Sequence, residues 1–151
     1  MRSGLRGVFL VPAICLGAIL TQNTAWTNEE KALSRLHAAR AMSLRRIASL
    51  PRRRLEQLIR PSGYFIQKTL KLKAFARHAL SRRMSLEKWL RASLPELREE
   101  LLSIHGVGPE TADSILLYAG ARPAFVVDAY TRRIGGRLGW LSSHMSYDEV
   151  Q

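Results

Sequence analysis

The sequence predicts an all-α protein, and three features of it do so. No stretch alternates apolar and polar residues as a half-buried strand would. Apolar residues recur instead at helical spacing, as Phe65, Leu72, Phe75, Ala76 and Ala79 do. Residues that favour helix ends stand between such runs, among them Ser43, Pro51, Ser85, Ser93, Pro109 and Gly120. They divide the 151-residue chain into about eight to ten helices of ordinary length. No internal repeat and no low-complexity segment interrupts the pattern.

The opening residues, MRSGLRGVFLVPAICLGAIL, set Arg2 and Arg6 before an apolar run and so mimic an export signal. Pro12 breaks that run, no convincing small-residue cleavage site follows Leu20, and the run is short for a membrane span. Cys15 is the only cysteine, which excludes an internal disulfide and a Cys-rich metal site. It is expected to pack as a small hydrophobe. Thr21 to Thr27 reads as a polar loop. Thr27 and Glu30 form a capping box for a helix to about Arg40, with Ala32, Leu33 and Leu36 facing inward.

Ser43 caps a short helix to Leu50. Pro51 opens the next, with Leu55, Leu58 and Ile59 inward. Pro61-Ser62-Gly63 is a turn. A helix from Tyr64 to about Arg83 follows, with Lys68, Lys71 and Arg77 expected on its solvent side. Ser85 caps a short helix containing Trp89. Ser93 and Glu96 make a second capping box, with Pro95 in the first turn of the helix Leu94 to Ser103.

Leu101 to Ala112, LLSIHGVGPETA, then reads as helix, tight hairpin and helix. Gly106 and Gly108 flank Val107 in the bend, and glycine suits a backbone that takes positive φ or lies against another surface. Pro109 opens the second arm, and Gly120 is expected to close it as a left-handed terminal glycine. Amides at such a helix start, with the positive end of the dipole behind them, form a ready phosphate site. A linker through Val127 leads to Asp128, which begins a helix to about Leu138; Ser146 and Glu149 start one more.

Charge agrees with a polyanionic partner: 24 Lys and Arg stand against 12 Asp and Glu, a net of +12.

The hairpin pattern, the aspartate of FVVDAY, GAILTQNTAW (Gly17 to Trp26) and IRPSGYFIQKTLKLK (Ile59 to Lys73) stand in one order along the chain. These four blocks resemble the helix-hairpin-helix-GPD DNA glycosylases, the endonuclease III family. The LTQNT and RPSGY forms look most like its monofunctional 3-methyladenine-type members. The resemblance implies a six-helix barrel over residues 21–129, with the helix-hairpin-helix at 94–120. It also implies a second helical layer from residues 1–20 and 130–151, short at both ends and so expected to be truncated.

The resemblance also implies the site. Asp128 is the candidate catalytic aspartate. Breaking an N-glycosidic bond builds positive charge at C1′ of the sugar, and a carboxylate about 4 Å away offers roughly 4 kcal/mol at an effective dielectric near 20, against about 1 in water. Asp128 can also orient the attacking water; by its position alone it is an ordinary helix cap. Glu110 stands where bifunctional members carry a lysine nucleophile. Having no amine, it implies hydrolysis without a strand-cleaving lyase step. Gly106, Val107, Gly108 and Thr111 are the expected hairpin contacts to DNA, and Gln22 the residue entering the gap left by an extruded base. Trp26 and Tyr64 either wall the base pocket or pack as ordinary aromatics.

Many relatives hold an iron–sulfur cluster, whose cysteine ligands are absent here, so no cofactor is expected beyond a monovalent cation at the hairpin. The expected partner is double-stranded DNA with a damaged, alkylated base, and the expected state a cytoplasmic monomer. A non-catalytic or decayed hairpin DNA-binding protein, and an exported or membrane-anchored basic helical protein, are the alternatives.

Overall fold

The computed structural model describes residues 4–151, with side chains described from Leu10 onward. Its helices are α1 (Gly4–Leu20), α2 (Trp26–Ala38), α3 (Leu44–Ser49), α4 (Arg52–Ile59), α5 (Phe65–Ser81), α6 (Leu86–Trp89) and α7 (Leu94–Ser103). They continue as α8 (Pro109–Ser114), α9 (Ala129–Arg137) and α10 (Tyr147–Val150). A single 3₁₀ turn, Arg60–Ser62, joins α4 to the α5 approach, and α8 runs on through a wider π-type segment, Ile115–Ala119. The described residues contain no strand.

The apolar faces of α1 to α8 meet in one core, to which α9 and α10 add no apolar side chain. Cys15, Leu16, Ile19 and Leu20 of α1 are fully buried with Leu36, Leu55, Ile59, Leu72, Phe75 and Leu101. The N-terminal apolar run therefore serves the core. Burial pushes the Cys15 thiol pKa well above its ordinary value, so the side chain acts as a hydrophobe. No described helix is long and apolar enough to cross a membrane.

Ser43, Ser85 and Ser146 each accept a backbone N–H at a helix start, and Ser146 and Glu149 form a complete capping box. Two other boxes do not form. α2 begins at Trp26 with Ala25 as its N-cap and no side-chain cap. Thr27 thus lies inside the first turn, because the side chain of Glu29 turns inward against Gly17 of α1. Ser93 stands at the N-cap of α7 without a side-chain bond. Pro95 in that first turn removes one of the N–H groups that need a partner.

Gly120 is not left-handed, with φ −85; Ala121 takes the positive φ, 51. The wider turn explains this: the Gly120 N–H donates to Ile115 O at 2.9 Å, and a Cβ on Gly120 would stand 2.8 Å from Leu116 O. The glycine is needed for close approach.

Lys68 is not on a solvent face. It is 2% exposed, and its Nζ donates to Leu20 O (2.7 Å), Thr24 Oγ1 (2.8 Å) and Ser62 O (2.6 Å). Lys73 likewise donates to the carbonyls of Ile47, Ala48 and Leu50. Each lysine satisfies carbonyls that a helix end or turn leaves without an intrahelical partner. Lys68 fixes the loop after α1 against the turn before α5, the two segments that border the hairpin.

Candidate active site

The hairpin turn is built around Gly106. Its φ is +82, and a Cβ there would fall 2.2 Å from Cγ of Lys71, whose aliphatic stem lies across the turn. The Lys71 Nζ donates to Gln22 Oε1 at 2.6 Å. The Gln22 amide nitrogen donates to Gly106 O (3.0 Å) and to Thr111 Oγ1 (2.8 Å). Gln22, expected to reach toward a duplex, is thus bound to the bend and to the second arm of the hairpin. Thr111, expected to touch DNA, is 5% exposed and spends its hydroxyl on Gln22.

Val107 is buried, and its N–H donates to Ile104 O at 3.0 Å, closing the turn. That amide is committed to the fold and does not await a phosphate. Gly108 is exposed, and a Cβ there would meet nothing within 4 Å. The surface in front of its backbone is open. Pro109 follows as the first residue of α8.

From Ala121 the chain runs without regular secondary structure to Asp128, which caps α9. One carboxylate oxygen of Asp128 accepts from the Thr131 N–H (2.7 Å) and the Thr131 hydroxyl (2.9 Å). The ordinary helix-cap geometry is therefore present. It leaves the second oxygen unused by α9 and directs the carboxylate by a fixed rotamer. Glu110, in the first turn of α8, is open to solvent on one side. Partial burial raises its pKa and the nearby Asp128 charge raises it further. Glu110, in the first turn of α8, and Asp128, at the cap of α9, are thus close enough for their charges to interact.

Trp26 is 67% exposed and Tyr64 68% exposed, so neither packs in the core. Tyr64 also holds a positive φ of 42 between the 3₁₀ turn and α5, a strained conformation for an aromatic residue. A cleft of about 580 Å³ beside His105 is lined by Leu50, Leu70, Ala74 and Arg77 and includes neither Asp128 nor Glu110.

Lys68 and Glu29 are the titratable pair sequence reasoning missed. Glu29 is 5% exposed with Oε2 lacking a partner among the described residues. Its pKa is raised to about 7 by burial, with Glu30 adding and Lys68 opposing; that of Lys68 is lowered to about 8 by burial and by Lys71. The spacing of α2 gave no signal for Glu29, which sits between exposed acids and amides in sequence.

The described residues thus form an all-helical fold with a glycine hairpin between α7 and α8 and an aspartate-capped α9 after it. The chain belongs to the HhH-GPD superfamily of base excision DNA repair proteins, whose model matches residues 16–151. A protein of Methanocaldococcus jannaschii described as a DNA repair glycosylase is 42% identical over 91% of this chain and 64% of its own length. Endonuclease III of Thermotoga maritima is 31% identical over 86% of this chain and 57% of its own length. The chain thus spans less than two thirds of these relatives. The H. pylori 3-methyladenine DNA glycosylase, solved with 1,N6-ethenoadenine, superposes with a TM-score of 0.83 at 34% identity, covering 91% of this chain and 65% of that one. An endonuclease III–DNA complex shares the fold at 24% identity, with a TM-score of 0.76 over 91% of this chain and 60% of that one.

Proposed function

We propose that this chain carries the catalytic unit of a monofunctional DNA glycosylase acting on an alkylated base in double-stranded DNA. The observation that carries this reading is an acid, Glu110, in the first turn of the hairpin's second arm, with Asp128 capping α9 after it. The position of the family lysine holds an acid, which has no amine to attack C1′, while the nearby Lys71 ammonium is bound to Gln22, and Asp128 acts with water. In this mechanism the duplex lies against the open Gly108 backbone, and the damaged base swings out at a cost of a few kcal/mol. Exposed Trp26 and Tyr64 offer it aromatic faces. The capped Asp128 carboxylate then steadies the sugar cation and orients the water that ends the reaction.

Alkylated purines fit this economy of means because they carry positive charge and leave readily. The H. pylori relative, named a 3-methyladenine glycosylase, supports the same substrate class. Gln22 would exchange its hairpin bonds for the gap in the duplex, with Gly106, Val107 and Thr111 holding the bend that presents Gly108. No redox cofactor is required, and a monovalent cation on hairpin carbonyls remains part of the reading. The protein would act as a monomer in the cytoplasm.

One observation favours a second reading, a hairpin protein that binds DNA without freeing a base. Tyr130, Ile134, Leu138 and Trp140, on and after α9, are 53% to 75% exposed, so the outer face of the helix capped by Asp128 is uncovered. Incubation of the purified chain with methylated duplex separates the two. Release of methylated adenine supports the glycosylase; salt-sensitive binding with no release supports the binding protein.

A further inference from the structure

Outside the motif residues, the structure contains a chain of hydrogen bonds from the hairpin to the backbone beside Asp128. It starts at Asp113, on α8, which is 0% exposed. Arg98 of α7 grips that carboxylate twice, Nε to Oδ1 at 2.8 Å and Nη2 to Oδ2 at 3.2 Å. The Gln151 amide nitrogen donates to Asp113 Oδ2 (2.9 Å) and also to Phe125 O in the linker (2.8 Å). The Val127 N–H, one residue before Asp128, donates to the hydroxyl of Tyr147 at 3.1 Å. Burial pushes the Tyr147 phenol up to about 12, with Asp113 adding to the rise and the Val127 N–H opposing it.

Each link has a physical consequence. The linker from Ala121 to Val127 has no regular secondary structure of its own to fix it. Its carbonyl at 125 and its amide at 127 are both bound by side chains at the α10 end of the chain. Gln151 in turn rests on the buried Asp113 carboxylate of the hairpin's second arm, and Tyr147 stands on the same short helix, one turn before it. α10 is itself oriented by the Ser146–Glu149 capping box, by Arg98 to Asp148 (3.4 Å) and by Arg132 to the carbonyl of Met145 (2.8 Å). The distance between the hairpin and Asp128 is therefore set through α10 as well as through the linker.

We propose that Tyr147 and Gln151 are positioning residues that hold Asp128 in register with the hairpin. The proposal rests on the glycosylase reading for its catalytic consequence; its geometric content stands apart from it. A nucleophile-orienting or charge-stabilising group displaced by about 1 Å can lose about a hundredfold in rate, so a hydroxyl that pins the preceding amide acts on turnover without touching DNA.

The test uses the full chain with Tyr147→Phe, which keeps the ring and removes the acceptor for Val127. Single-turnover base release from methylated duplex is measured beside duplex affinity, thermal midpoint and hydrogen exchange at the Val127 amide. The expected result is release slowed about tenfold and faster exchange at Val127, with affinity and thermal midpoint near those of the wild type. Unchanged exchange at Val127 overturns the proposal. So does a rate loss matched by equal losses of affinity and stability, which marks general damage. If the wild type frees no base, the glycosylase reading fails, and exchange at Val127 still decides whether Tyr147 pins the linker. Should Tyr147→Phe not fold, Gln151→Ala carries the same measurements through Phe125.

Discussion

Partial burial, and after it the charge of Asp128, raises the carboxyl of Glu110 above its usual range, so the residue before α9 and the first turn of α8 are electrostatic neighbours. In that arrangement a positive group at position 110 would be attracted where the present acid is repelled. Glu110→Lys therefore places an amine beside Asp128 at the point where C1′ is expected. Borohydride trapping on duplex DNA should give a covalent adduct with Glu110→Lys and none with the wild type. Equal trapping by both proteins would remove the argument for a monofunctional enzyme.

The two hairpin glycines have different physical reasons and should respond differently. Gly106 holds φ +82 with Lys71 Cγ 2.2 Å from a would-be Cβ, so Gly106→Ala should cost about 1–3 kcal/mol of stability. Gly108 has an ordinary φ of −93 and open space before it, so Gly108→Ala should leave the thermal midpoint nearly unchanged. If the DNA backbone approaches there, the added methyl group should instead weaken duplex binding. Thermal unfolding and a binding titration on both variants check the contrast.

Glu29 predicts a specific pH dependence. Its folded pKa of about 7 lies above the ordinary 4.5, so between those values the folded chain holds a proton that the unfolded chain has released. That contribution to stability is full below about pH 4.5 and is lost as pH rises through 7. Lys68, lowered from 10.5 to about 8, adds the opposite trend above pH 8. Glu29→Gln should flatten the lower part of the profile and recover about 2 kcal/mol at pH 7.5. Denaturant titrations at a series of pH values measure it; an unchanged slope between pH 5 and 7 would contradict the assigned burial.

Local signals were the legible part of this fold. Ser43, Ser85, Ser146 and Asp128 each mark a helix start by accepting from the residue three positions on, and Pro109 marks one by its place in the first turn, all of which sequence shows directly. The hairpin and Asp128 were legible together because their pattern is short and ordered. Long-range contacts were not. Lys68 reads as one of several surface lysines, yet its three acceptors come from Leu20, Thr24 and Ser62, in separate segments. Gln22 reads as a loop amide, but its partners lie at positions 71, 106 and 111. Gly120 was read by its composition as a left-handed terminus, and the wider turn that moves this role to Ala121 leaves no mark in residue types. Tyr147 and Gln151 follow the same logic: an ordinary short helix in sequence, and partners of the backbone at Val127 and Phe125 in space.

Asp128→Asn offers the most direct measurement of the central claim, because asparagine keeps the helix cap and removes the charge. Single-turnover release of methylated adenine from duplex DNA should fall by about a thousandfold, the equivalent of roughly 4 kcal/mol of lost charge stabilisation, while duplex affinity stays near that of the wild type. Release within about threefold of the wild type would contradict the role given to Asp128.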